Sequence, residues 1–371
     1  MGSVISAIGE NGSGGPRRIA FLHGSNDLYG ASKVLVDDAS LLASQGHHVS
    51  VVLPEHGPLD SLLSRSGITV VVEPLHALRR VSPWNSRIPI KLPDAVAVAD
   101  IAVVWTLALA TYLPALRIRR VRTVCSVHEI LLGRVGSALA HVATSFSSSL
   151  IVNSLATKNW IQQYNPRRRP IELAYPVAPP YDPLPSALPS NGLRALLAGR
   201  VNGHKGHMEA VRAGRIARAG GLDLQLALVG GSYPGQEHHL ALLEAEIRGA
   251  DWVVYDGEVS DIRPQLAACD VMLVPTTRPE PFGIVALEAW AAGRRVIASD
   301  EGGLAEAASM VEGVLIEPRN PEALARAMRD FAANAAMRGA PSATAKAATE
   351  CTLAHREDAW SRTLTYVDGP S

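Results

Sequence analysis

Short apolar runs recur along this chain in two sets of six, and a proline-rich stretch stands between the sets. Arg18–His23, His47–Pro54, Ile68–Val72, Ile101–Trp105, Arg122–Val127 and Ser149–Ser154 read as strands, with helical runs between them such as Ala31–Gln45, stopped by Gly46. Strand, helix and strand joined by short turns make a βαβ unit. Residues 173–192 then hold Pro176, Pro179, Pro180, Pro183, Pro185 and Pro189 and read as a linker. The alternation restarts with Leu193–Ala198, Leu224–Val229, Val253–Tyr255, Val271–Pro275, Arg295–Ser299 and Val314–Ile316. The expected fold is therefore α/β, with two doubly wound domains facing a cleft. The expected segments are a disordered leader at 1–16, a first domain at 17–176, a linker at 177–192, a second domain at 193–344 and a helical tail at 345–371.

Composition narrows the function. The 371 residues carry 35 basic and 35 acidic side chains, so nothing in the charge balance points to nucleic acid. Cys125, Cys269 and Cys351 are far apart and odd in number, which fits a reducing compartment without a disulfide framework. Residues 1–16 are rich in Gly, Ser and Asn and lack the apolar core of a secretory signal. Gly12–Gly15 precedes the first strand instead of following it, so it fails the context of a dinucleotide loop. No apolar run approaches the roughly 18 residues needed to span a bilayer. A cytoplasmic protein is the expectation.

The chemistry concentrates at Arg278–Trp290, where a strand hands over to a helix. Glu280 precedes that helix and Glu288 lies on its second turn, with the backbone N–H groups of Phe282, Gly283 and Ile284 between them. N–H groups at a helix start take an anion, and carboxylates accept from sugar hydroxyls, so the arrangement suits a sugar attached to a phosphate. By spacing alone, an amphipathic helix with a solvated Glu288 fits as well. A second loop, Gly199–Gly206, follows the first strand of the second half and holds Arg200 and Lys205. Arg offers planar two-point contacts and Lys a compact charge, both suited to a diphosphate; a basic surface loop is the plainer alternative. No Asp-x-Asp pair for a divalent metal occurs in the chain.

With Pro-Phe-Gly after Glu280, the Glu280…Glu288 spacing resembles the E-x7-E signature of the retaining glycosyltransferases of family 4, which have the GT-B fold. Gly199-Arg200…Lys205-Gly206 resembles the same family's G-R-x4-K-G segment. The resemblance implies two Rossmann-like domains, with the terminal helix crossing back onto the first. It implies that Glu288 holds the donor's ribose, and that Glu280 with the amides of Phe282, Gly283 and Ile284 holds the sugar and diphosphate. It assigns Gly199, Arg200 and Lys205 to the leaving diphosphate and His128, in Ser126-Val127-His128-Glu129, to the sugar near the reacting carbon. His-Asp is usual there, so the part of Glu129 stays open. Gly30 and Ala31 resemble the glycine loop at the donor phosphate, Ser32 being equally a helix cap, and Val259 falls where the base is bordered. Gly302–Glu306 resembles a G-G-x-x-E turn and reads as structural.

The function so implied is transfer of a hexose-type sugar from a nucleotide-diphosphate sugar to a hydroxyl acceptor (glycan, glycolipid or natural product), with retained configuration and neither metal nor cofactor. Two rivals remain: a GT-B nucleotide-sugar epimerase and a non-catalytic sugar-nucleotide-binding subunit. Arg79, Arg80, Arg87 and Lys91, then Arg117, Arg119, Arg120 and Arg122, make a basic stretch in the first half. It is either a solvated face or a site of peripheral contact with anionic membrane or a lipid-diphosphate acceptor. Acceptor recognition is expected in first-half loops, for example around Pro83-Trp84-Asn85.

Overall fold

A computed structural model describes residues 15–78, 91–185, 192–232 and 235–368. Most of the leader, Arg79, Arg80, Arg87, Pro83-Trp84-Asn85 and Pro189 lie outside the described residues.

The described strands form two parallel sheets. The first joins β1 (Arg18–His23), β2 (His48–Leu53), β3 (Thr69–Val72), β4 (Ile101–Trp105), β5 (Arg122–Val127), β6 (Ser149–Val152) and β7 (Ile171–Leu173) in the order 3-2-1-4-5-6-7. The second joins β8 (Leu193–Ala198), β9 (Leu224–Val229), β10 (Val253–Gly257), β11 (Val271–Val274), β12 (Arg295–Ser299) and β13 (Val314–Ile316) in the order 10-9-8-11-12-13. Each half thus reverses its strand order once, between β1 and β4 and between β8 and β11. Ligands of doubly wound sheets bind in the crevice outside the carboxyl ends at that reversal.

Both sheets are covered on two faces, which explains their almost continuous apolar strands. Along β1, Ile19 and Phe21 enter one core while Ala20 and Leu22 enter the other. Along β11, Val271 and Leu273 part in the same way from Met272 and Val274. The amino ends of the reversal strands are tied alike in the two halves. The Arg18 amide and guanidinium donate to Asp100 before β4, and those of Arg194 donate to Asp270 before β11.

Three details depart from the sequence reading. The strand β7 was not anticipated. The tail is two helices, Ala347–Glu350 and Leu353–Asp368, instead of one run. The chain turns at Cys351, whose carbonyl accepts from the Ala178 amide at 2.8 Å, and Thr352 caps the second helix through the His355 amide at 3.2 Å. The proline-rich segment is not a free tether. The amides of Asp182 and Leu184 bond to the carbonyls of Ala291 and Ala292 at 2.8 and 3.0 Å, and the Tyr181 ring packs on Trp290.

Helix Leu353–Asp368 lies against β5, β6 and β7 of the first sheet. Ala359, Trp360, Leu364 and Val367 join the core that contains Phe21 and Trp105. Arg356 and Asp38 form a fully buried ion pair beneath it, and Arg356 Nη1 also donates to the carbonyls of Ala174 and Tyr175 at 2.8 and 3.0 Å.

Candidate active site

Three helices begin at the loops around the two reversal points: Gly30–Ser44 after β1, His207–Ala219 after β8 and Ile284–Ala291 after β11. No side chain caps any of these starts. The first turn of a helix has no intrahelical partners for its N–H groups, and the helix dipole makes it partly positive. Two of the loops need glycine. Gly283 has φ +93°, and Gly206 has φ +81° with the carbonyl oxygen of Pro275 only 1.9 Å from where a Cβ would stand. Across the cleft, a Cβ on Gly30 would stand 3.1 Å from Ile284 Cδ1, so the first helix of one domain meets the signature helix of the other. Ala31 sits beside Gly30 with its carbonyl accepting from Trp105 Nε1 at 3.0 Å.

The charged side chains are paired. Lys205 Nζ lies 2.7 Å from Glu280 Oε1, which joins the Gly199–Gly206 loop to the start of the signature helix. Gly199 closes that loop from below, with Lys205 Cγ 3.3 Å from its absent Cβ. The other pairs cross between domains: Lys33 to Glu288 at 2.6 Å, Arg200 to Asp27 at 2.6 Å, and the Tyr29 hydroxyl donating to Glu258 at 2.9 Å. The Arg200 guanidinium also lies over the Tyr29 ring, 3.5 Å from its centroid. Burial pushes the Asp27 carboxyl up, but Arg200 and hydrogen bonds from the Tyr29 amide and the Ser32 hydroxyl outweigh it and hold the group below its ordinary value.

His128 directly follows β5 and is 9% exposed. Its Nε2 is 2.8 Å from Ser126 Oγ, and its ring lies 4.4 Å from that of Trp105 at 32°. Burial, then the positive Arg356, push its pKa well below the ordinary histidine value, so the ring is neutral. Glu129 turns back on the backbone, its Oε2 accepting from the amides of Leu107 at 3.1 Å and His128 at 3.2 Å. Those bonds fix the β5 loop. His23, at the end of β1, is lowered to about 4 by burial.

The structure gathers Gly30, Ala31, Gly199, Arg200, Lys205, Glu280, Gly283, Ile284 and Glu288 around the two reversal points. Phe282 is 1% exposed and its ring belongs to the second core, 5.6 Å from Tyr175, so its side chain packs inward and not into the cleft. Val259 packs half-buried against the same core. Ser32 is not a helix cap: its hydroxyl donates to Asp27 at 3.0 Å and meets His23 Nε2 at 3.0 Å. Glu306 of the G-G-x-x-E turn caps a helix of the other domain, accepting from the amides of Leu155 at 2.9 Å and Ala156 at 2.6 Å. Asp27, Lys33 and Trp105 were missed. Asp27 carried one usable signal, an Asp three residues before the helix start in a strand-to-helix loop. Among the described residues no group of three or more His, Cys, Asp or Glu side chains is placed to hold a metal ion.

Two facing Rossmann-like domains with this cleft define a GT-B glycosyltransferase architecture. The model described as glycosyl transferases group 1 matches residues 192–334, and the model for glycosyltransferase family 4 matches residues 29–178. The chain belongs to the group 1 glycosyltransferases of family 4 type. It is 34% identical over 176 residues to a D-inositol 3-phosphate glycosyltransferase of Streptomyces avermitilis, covering 44% of this chain and 37% of that protein. It is 30% identical over 141 residues to a lipopolysaccharide 1,2-N-acetylglucosaminetransferase of Salmonella typhimurium, covering 35% and 36%. These matches span little more than a third of the relatives' length. Among solved structures, HepE of Anabaena in complex with UDP and glucose superposes with a TM-score of 0.76 at 24% identity, over 94% of this chain and 99% of that one. A glycosyltransferase of Rickettsia africae gives 0.74 at 16%, over 96% and 100%.

Proposed function

We propose that this protein transfers a hexose-type sugar from a nucleotide-diphosphate sugar to a hydroxyl acceptor, with retention of configuration and without a metal ion. The observation that carries this reading is the bracket at the signature helix. Glu280, held by Lys205, and Glu288 stand either side of an uncapped helix start at the strand-order reversal. In this reading the amides of Phe282, Gly283 and Ile284 receive the diphosphate, and Glu288 accepts from the ribose hydroxyls. Arg200 and Lys205 balance the charge that grows on the leaving phosphate. His128 takes part as a neutral hydrogen-bonding ring. The departing phosphate, on the face from which the acceptor attacks, takes the acceptor's proton. That HepE was solved with UDP-glucose supports the donor class.

Peripheral membrane contact of a cytoplasmic protein belongs to the same proposal, with a change of place. Arg117, Arg119 and Arg120 are exposed around Ile118, which is 81% exposed, and Arg117 and Arg167 lie near enough to Arg169 to lower its pKa, after burial. These residues precede β5 and β7, at the opposite ends of the strands from the cleft. A six-residue strand is about 20 Å long, so this ridge suits anchoring to anionic lipid and not delivery of a lipid acceptor to the site. Among the described residues no helix is long and apolar enough to cross a membrane.

The test is a thermal-shift screen of UDP, GDP, ADP and dTDP with their sugars, followed by nuclear magnetic resonance of the product. One nucleoside diphosphate should raise Tm, Glu288→Ala should abolish that rise, and the new linkage should keep the donor's anomeric configuration in the presence of EDTA. Lys205→Ala should lower kcat about a hundredfold or more. Donor consumption without acceptor that yields an isomeric nucleotide sugar would instead identify an epimerase.

A further inference from the structure

Asp27 occupies an unusual position for a carboxylate. It sits in the loop before the first helix, on the wall opposite the Gly199–Gly206 loop, and its Oδ2 receives Arg200 Nη2 at 2.6 Å. It is not free to swing: Oδ1 accepts from the Tyr29 amide at 3.1 Å and the Ser32 hydroxyl at 3.0 Å. A fixed anionic oxygen facing a guanidinium offers Arg200 the same partner chemistry as a phosphate oxygen.

We propose that Asp27 is an internal stand-in for a donor phosphate. It occupies Arg200 in the free protein and yields it to the diphosphate, so donor binding competes with a bond between the domains. This rests on the donor reading of Arg200 given above. Competition with a tethered carboxylate weakens every anionic ligand of Arg200 and leaves uncharged parts of the ligand unaffected. Lys33 with Glu288 and the Tyr29 hydroxyl with Glu258 hold the two walls together while Arg200 changes partner.

Asp27→Asn keeps the size of the side chain and an acceptor for the Tyr29 amide while removing the charge. Isothermal titration with UDP, GDP and ADP should show the diphosphate that binds the wild type best binding this variant about three- to tenfold tighter. The affinity for the matching nucleoside, which lacks phosphate, should not change. The gain should disappear when Arg200 is also replaced by Ala. Asp27→Ser, which leaves a hydroxyl for the Tyr29 amide, should reproduce the gain. Unchanged or weaker diphosphate binding in either variant with wild-type circular dichroism overturns the proposal while leaving the donor reading intact. Failure of the wild type to bind any of the three diphosphates removes the donor reading and this inference with it.

Discussion

At the scale of single residues, the site is governed by backbone that only certain residues can adopt and by charges that are already satisfied. Gly283 combines both themes, because its left-handed conformation aims the helix start into the cleft. Alanine there must adopt φ +93°, a strain of about 1–2 kcal/mol, and Leu304 Cδ1, 2.7 Å from the new Cβ, has to move aside. Gly283→Ala should therefore lower Tm by a few degrees and reduce nucleotide-induced stabilisation, both read in one calorimetric series. Buried neutral histidines give a second prediction. His23 and His207 are each lowered to about 4 by burial, and His128 is lowered well below its ordinary value. The unfolded chain takes up these protons near pH 6.5 while the folded chain refuses them until about 4. Stability is thus full above pH 6.5 and is lost as pH falls toward 4, by on the order of 2–3 kcal/mol for each of His23 and His207. A Tm that stays level from pH 7 to 4.5 would contradict this, and His207→Gln should flatten the slope.

At the scale of elements, the helix starts and strands were largely legible from sequence, because a parallel sheet covered on both faces demands apolar runs and its loops demand glycine. Val271–Val274 and the helix from Ile284 fell within a residue of where their patterns placed them. What stayed hidden has a physical cause. Arg200 and Asp27 are separated by 173 residues, and Lys33 and Glu288 by 255, so no helical or strand period relates them. The three-residue β7 is too short to display a pattern. The split in the tail depends on a carbonyl, that of Cys351, turning toward a distant amide. The clearest element-scale device is Glu306, which reaches from the other domain to helix Leu155–Gln162 and takes the Leu155 and Ala156 amides that its own N-cap, Ser154, leaves open. Gln offers one acceptor oxygen where the carboxylate offers two. Glu306→Gln should therefore destabilise by about 1–3 kcal/mol, as an unmatched backbone N–H does, and chemical denaturation should register it.

At the scale of the whole molecule, the domains are held by polar bonds near the cleft and by a shared chain at the back. The buried Arg356–Asp38 pair belongs to the second kind. Removing only the cation leaves an uncompensated interior charge, so Arg356→Met should cost about 3–5 kcal/mol. The double replacement Arg356→Met with Asp38→Leu should recover most of that loss, which denaturation midpoints would reveal. A double variant no better than the single one would show that the bonds from Arg356 to the Ala174 and Tyr175 carbonyls matter more than the charge.

Trp360 and its helical neighbours fill the interior of the first domain, although translation supplies them after the second domain. On the ribosome, Asp38 waits through 318 residues for its counter-ion. The second domain, whose core among the described residues ends at Cys351, is in a position to close sooner. Order of synthesis and order of completion are therefore reversed, and a nascent chain halted shortly before Trp360 should expose an unfinished amino-terminal lobe to chaperones and proteases beside a finished carboxyl-terminal one.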